Sequence, residues 1–283
     1  LSTYIDGFMK HLRPDGRFHP TYVLYSGEWD NKKAGTNTGR TSCKDPAYQT
    51  IPKHTKWAKA LRKVYPPPPG YVILKVDFSQ GELRVIACVA DEKNMIAAYK
   101  SGIDLHLKTA ASLNGLSIKE FSAKDVAWQA EKRQGGKAGN FGLIYGMMPP
   151  GFVEYARTTY GVIITLDESE KFRDVFFDTY PGLTKYHESY KAHAHMHGFV
   201  QSPLGRIRHL PLINSYDNET RSKQERQAIN APIQATLSDM AMLAMAILHQ
   251  EYPELWCFGM THDDIAFYIP EDNVELWTKR VIE

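Results

Sequence analysis

Apolar positions run almost without a break from residue 71 to 78: Tyr71, Val72, Ile73, Leu74, Val76 and Phe78 are interrupted only by Lys75 and Asp77. The run is rich in β-branched residues, so it predicts a buried strand. Four prolines, Pro66 to Pro69, and Gly70 precede it and stop a short basic helix predicted over 56–64. The period changes from Glu82 onward, predicting a helix over 82–90. From 91 to about 213 the pattern is mostly helical, with one long helix at 123–148 and one or two more between 167 and 198. Residues 215–230 and 233–252 predict two helices separated by Pro232. The second repeats Leu237, Met240, Ala241, Ala244, Ile247 and Leu248 at helical spacing, its methionines reading as core filling. Residues 256–261 and 265–269 predict two strands of a hairpin around His262 and Asp263. Pro270 ends that hairpin, and a further helix starts near Asp272. At the N-terminal end, Pro14 to Arg17 predict a turn between a short helix and a strand at 18–25, followed by a loop over 27–39. The strand bearing Asp77 and the hairpin bearing Asp263 are roughly 190 residues apart, with a helical insertion between them. That order predicts an α+β fold.

Composition narrows the class. The chain has 283 residues, 43% hydrophobic and 23% charged, ordinary values for a globular protein with a sizeable core. No apolar run reaches the ~18–20 residues that span a bilayer, and the N-terminal residues lack a signal pattern. The reading is therefore an intracellular protein with no membrane partner. Cys43, Cys88 and Cys257 are widely spaced and read as reduced thiols. The net charge of +2, from 34 basic and 32 acidic residues, says little about partners. Basic residues do crowd 53–63 and 205–226, which fits either a solvated face or contact with a polyanion. His193, His195 and His197 read as a solvated helix end ahead of a zinc site, since only His193 and His197 share a helical face.

Three groups of residues carry candidate chemistry. Asp77 ends an apolar strand and Asp263 sits in a hairpin turn; each alone suits a cap or turn, and together they suit hard cations. Arg133, Lys137, Phe141 and Tyr145 are four apart and form a stripe about 18 Å long, cations at one end and aromatics at the other. That order fits a triphosphate followed by a sugar and base. Gly135, Gly136, Gly139 and Gly142 interrupt the same helix at roughly 1 kcal/mol each relative to alanine, implying close approach of another backbone or a ligand. Gly135 and Gly136 are expected to loosen the helix start.

These segments, in this order, resemble motifs A, B and C of the DNA polymerase I family (family A). Motif A is matched from Val76 to Arg84, motif B from Arg133 to Gly146, and motif C from Thr261 to Asp264. Further matches are Thr38-Gly39-Arg40, Gln49 to Pro52, Asp104-Leu105-His106 with Thr109-Ala110, Leu204-Gly205-Arg206, and Arg226 to Gln234. The resemblance covers nearly the whole chain. It implies DNA-directed DNA synthesis, with dNTPs added to a primer 3′-hydroxyl in replication or repair by two-metal phosphoryl transfer.

Residue by residue, the resemblance implies that Asp77 and Asp263 hold two Mg²⁺ ions, with Mn²⁺ as a substitute. Asp264 stands where the family usually has Glu and is at most a supporting group. Arg133, Lys137 and His106 meet the triphosphate; Lys137 also counts among the catalytic residues. Phe141 packs on the sugar and Tyr145 lies near the base pair. Glu82 blocks a ribose 2′-hydroxyl, and Gln80 joins the dNTP site. Gly81 replaces the family's bulky aliphatic residue. Arg40, Gln49, Arg206, Arg226, Asn230, Gln234 and His262 are implied contacts to primer–template DNA. The implied architecture is a right hand: palm from 1–90 and 214–283, helical fingers from 91–213. The family's thumb, and any exonuclease domain, would lie outside this stretch. A cytoplasmic location in a bacterial or phage-infected cell follows, with Gly81 and Asp264 pointing to a phage-like source. Two alternatives are a single-subunit RNA polymerase, which would lack the acidic gate at Glu82, and a non-catalytic DNA-binding remnant.

Overall fold

The computed structural model describes residues 5–24, 35–51, 58–63, 66–261 and 263–283. In chain order the elements begin with α1 (Asp6–Met9), β1 (Thr21–Val23), β2 (Ser42–Lys44), α2 (Ala58–Lys63) and β3 (Tyr71–Asp77). A helical stretch follows: α3 (Gly81–Val89), α4 (Lys93–Lys100), α5 (Leu105–Leu113), α6 (Ile118–Ser122), α7 (Val126–Gly142), α8 (Pro149–Tyr160), α9 (Leu166–Thr179) and α10 (Pro181–His197). The chain closes with β4 (Phe199–Gln201), β5 (Ile207–His209), α11 (Asn218–Glu251), β6 (Trp256–Thr261), β7 (Asp264–Pro270) and α12 (Val274–Ile282). It divides into two compact units, Leu1–Ser79 with Leu237–Glu283, and Gln80–Thr236.

The first unit is built on an antiparallel sheet in the order β3-β7-β6. Central β7 is apolar on both faces, as a strand covered on both sides must be: Ile265, Ala266, Phe267 and Ile269 are buried. Its register pairs Val72 with Ile269, Leu74 with Phe267 and Val76 with Ile265. These side chains join Leu255, Trp277 and the α11 residues Ala244, Met245 and Leu248 in one core. A β1–β2 hairpin lies alongside: the Met260 N–H on β6 donates to the Tyr22 hydroxyl at 3.2 Å.

The second unit is helical with one small hairpin. Gly136 is where α5 and α7 touch, because a Cβ there would lie 2.2 Å from the His106 carbonyl oxygen. Phe152, Phe172 and Phe176 cover Gly135, Gly139 and Gly142 on the same helix. Buried Glu92 ties α4 to the start of α10. Its Oε1 accepts from the Asn94 N–H at 2.8 Å and its Oε2 from the Gly182 N–H at 2.5 Å. Glu92→Ala strands both donors in a site that is 2% exposed. A loss of about 2–4 kcal/mol is expected in a urea titration; an unchanged midpoint would show that the carboxylate is structurally idle.

The α+β class agrees with the sequence reading, but several elements differ. The helix expected over 123–148 stops at Gly142, passes through a 3₁₀ turn at Leu143–Tyr145 and restarts as α8. Gly146, at φ 71°, reverses the chain there, in a conformation that glycine adopts without penalty. Gly135 and Gly136 do not loosen the helix; both are inside α7, and they admit α5 and Phe172. The two helices expected around Pro232 are one, α11. Proline's lost hydrogen bond is tolerated because Ala228, Ile229, Ala231, Ile233 and Ala235 are all buried around it. An 18-residue window of α11 is apolar and long enough to cross a bilayer, contrary to the expectation that no run is; 44% of that window is buried in the fold, as in a core helix. The strand expected at 18–25 is shorter, Thr21–Val23 among the described residues. The loop expected over 27–39 lies mostly outside the described residues. The expected palm and fingers boundaries at 90/91 and 213/214 remain a proposal.

Candidate active site

In the first unit the sheet gathers the acidic residues. Asp77, the last residue of β3, is the register partner of Asp264, the first residue of β7, and Thr261 is paired with Asp264 from the other side. Asp263 occupies the turn between β6 and β7. Cross-strand partners and chain neighbours have fixed spacings, so the Asp77 and Asp263 Cα atoms lie within about 9 Å of each other. Asp77 is exposed and Asp263 half-buried, while Asp264 is 7% exposed. Lys75 donates from Nζ to Asp264 Oδ2, which gives that buried carboxylate a cationic partner. Among the described residues no three His, Cys, Asp or Glu side chains form a metal-binding group. Two carboxylates at neighbouring strand ends nonetheless fit hard cations that take their remaining oxygens from substrate and water. His262 lies outside the described residues.

The β6 end is held from the N-terminal segment. Gln49 donates from Nε2 to the Met260 carbonyl at 2.8 Å and to the Thr41 hydroxyl at 3.0 Å. Its amide nitrogen therefore buttresses the strand that leads into the acidic turn. The Ser238 hydroxyl donates to the Gly39 carbonyl at 2.7 Å, and that of Thr36 to the Arg40 carbonyl at 2.6 Å, fixing the backbone that carries Arg40.

In the second unit α7 separates its residues by face. Gly135, Gly136, Ala138, Gly139, Asn140 and Gly142 are buried. Arg133, Lys137 and Phe141, and Tyr145 in the following 3₁₀ turn, are half-buried and stay on the other side. The Arg133 guanidinium grips Asp104 Oδ2 through Nη2 at 2.6 Å and Nε at 3.1 Å. Burial pushes the Asp104 carboxyl up, but Arg133 and the Leu107 N–H outweigh it and hold the group below its ordinary range. Lys137 Nζ stands 5.7 Å from the centre of the Tyr160 ring. His106, 5.7 Å from the Phe141 ring, is depressed to about 4 by burial, Arg133 and Lys137 adding to the effect and Asp104 opposing it. At neutral pH His106 therefore stands beside the two cations as an uncharged imidazole.

The Tyr145 hydroxyl donates to Glu82 Oε2 on α3. Gln80 caps α3 in a left-handed conformation, φ 53°, and its Oε1 accepts from the Tyr99 hydroxyl at 3.0 Å. The Arg84 guanidinium stacks 4.4 Å from the Tyr99 ring centre. Arg226, Asn230 and Gln234 recur every four residues on α11 and are half-buried. Asn230 Oδ1 is a buried acceptor without a partner among the described residues. Arg206 is exposed in the β4–β5 turn, where Gly205 takes φ 92° and the Ser202 hydroxyl accepts from the Arg206 N–H at 3.1 Å.

Sequence reasoning missed three supports. His187 bonds through Nε2 to the Ile144 carbonyl at 2.7 Å and so pins the turn that carries Tyr145. Asn140 contacts His106 (2.9 Å) and Thr109 (2.8 Å). Lys75 neutralises Asp264. In the histidine cluster, His195 sits between Asn214 and Glu225, at 2.8 and 3.0 Å. It ties α10 to α11.

The sequence profile of DNA polymerase family A matches residues 1–283. The chain is similar to DNA polymerase I of Pseudomonas aeruginosa, 33% identical over 279 residues that cover 97% of this chain and 28% of that protein. It is also similar to DNA polymerase I of Caldicellulosiruptor bescii, 32% identical over 291 residues covering 100% of this chain and 32% of that protein. The chain thus spans less than a third of the length of these relatives. Among solved structures, the POL domain of Pol1 from M. smegmatis, in complex with DNA primer-template and dNTP, matches 98% of this chain and 46% of that one, at a TM-score of 0.83 and 27% identity.

Proposed function

The chain belongs to DNA polymerase family A, and on that footing we propose that it performs template-directed DNA synthesis, adding dNTPs to a primer 3′-hydroxyl. The observation that carries the reading is the sheet register, which sets Asp77 beside the Asp263 turn although the two are remote in the chain. The substrates are primer–template DNA and dNTPs, as in the complex of the solved relative. The antiparallel sheet is the palm, and the helices from 91 to 213 are the fingers.

In this mechanism the primer hydroxyl attacks the α-phosphate and pyrophosphate leaves. Mg²⁺ held by Asp77 and Asp263 would neutralise charge on the reacting oxygens. Arg133 and Lys137 balance the triphosphate's negative charge, and His106 donates a hydrogen bond to it. Phe141 packs on the sugar. Arg40, Arg206, Arg226, Asn230, Gln234 and His262 line the duplex, reading acceptors that are nearly independent of sequence. The unpartnered Asn230 oxygen supports a polar ligand there. Gln49 is a support of the β6 end as much as a DNA contact, and Asp264, paired to Lys75, acts behind the metal ligands. The bacterial relatives favour a cytoplasmic location.

The test is extension of a labelled primer on a DNA template by this chain, with each dNTP supplied singly; incorporation that ignores the template base would end the reading. Glu82 governs sugar choice in the same scheme, with Tyr145 holding its carboxylate. Glu82→Ala is expected to raise ribonucleotide incorporation relative to deoxyribonucleotide by about 10²-fold. Single-turnover rates with matched rNTP and dNTP measure it, and an unaltered ratio would remove Glu82 from the sugar site.

A further inference from the structure

Asn140 is the one polar side chain on the buried face of α7, and it is 0% exposed. A buried amide in that position demands partners. Its Nδ2 lies 2.9 Å from His106 Nδ1, and its Oδ1 accepts from the Thr109 hydroxyl at 2.8 Å. The Thr109 oxygen in turn meets the buried Tyr180 hydroxyl at 2.8 Å. The single Thr109 proton is shared between two acceptors, Asn140 Oδ1 and the Leu105 carbonyl at 2.9 Å, and the amide as placed turns its Nδ2 to His106. An amide N–H aimed at Nδ1 needs a lone pair there. With the amide in this orientation the imidazole proton belongs on Nε2, which has no partner among the described residues.

We propose that Asn140 is a positioning residue that locks His106 in its Nε2–H tautomer, so that the ring offers a neutral N–H donor to a phosphate oxygen. This rests on the reading of His106 as a triphosphate contact. The other tautomer would aim a lone pair at the phosphate and repel it. Asn140, held by the buried Thr109 hydroxyl, makes the choice.

Two measurements test this on the full chain. Nitrogen-15 NMR of histidine-labelled protein should show His106 with a pyridine-like Nδ1 and a protonated Nε2; a protonated Nδ1 would overturn the proposal without any kinetic assay. Asn140→Leu keeps the volume, and Thr109 retains the Leu105 carbonyl as an acceptor at 2.9 Å. It should raise the dNTP KM about tenfold, the size of one hydrogen bond to a charged group, with the duplex affinity unchanged. In a His106→Gln background the same substitution should add less than about twofold, because its effect passes through the ring. A full tenfold loss in that background would make Asn140 merely structural and sink the proposal. If His106→Gln alone left KM unchanged, the phosphate contact itself, and the reading beneath this one, would fall.

Discussion

Alanine at Asp77 or at Asp263 is expected to slow primer extension by about 10³-fold or more while primer–template affinity stays within a few fold. The magnitude follows from removing an oxygen ligand of a cation that stabilises developing charge by several kcal/mol, each 1.36 kcal/mol being tenfold in rate. Asp77 is exposed and ends its strand, so its loss leaves the core untouched. Asp264→Ala should behave differently. Its carboxylate is buried and tied to Lys75, and removing it strands a lysine beside the turn. Thermal stability should fall along with activity in that variant. Rapid-quench rates, gel-shift affinities and thermal melts on the three variants separate these outcomes. Wild-type rates for Asp77→Ala would rule out the sheet end as the site of chemistry.

The second large effect lies at the helix crossing. Gly136→Ala would set a Cβ 2.2 Å from the His106 carbonyl oxygen and 2.9 Å from the Ala110 nitrogen. Both are backbone atoms of α5, so no side chain can rotate aside and α5 must shift bodily off α7. A loss of about 3 kcal/mol or more is expected in urea unfolding, with weaker dNTP binding because His106 moves with α5. Gly135→Ala is the control one residue away. Its Cβ would meet the Phe172 ring edge at 3.4 Å, and the gain in helix propensity is about 1 kcal/mol. It should be neutral or mildly stabilising. Equal midpoints for the two variants would show that the crossing is looser than its geometry indicates.

Much of this architecture was legible along the chain because its signals are local. The run from 71 to 77 and the two strands around residue 263 announce themselves by apolar continuity and by a turn between them. Four-residue spacing was enough to put Arg133, Lys137 and Phe141 on one face of α7. What was misread depended on partners far away in sequence. Pro232 looks like a break until the buried side chains on both sides of it are seen. Gly142 looks like mid-helix until Phe152 is found against it. Lys75 and Asp264 meet across 189 residues, and Asn140 reaches His106 across 34. No period in the chain encodes either meeting. The glycines of α7 were read as room for a backbone or a ligand, and the backbone is what fills the tightest of them.

The same helix also sets limits on redesign. One side has little room for enlargement, and none at Gly136 or Gly142, since α5 and a wall of phenylalanines already fill it. Residues 133, 137, 141 and 145 face away from that wall and are not volume-limited by it. A mutant library aimed at altered nucleotide choice should therefore vary those four codons and hold 136 and 142 constant, so that most clones survive expression and selection acts on substrate preference instead of solubility.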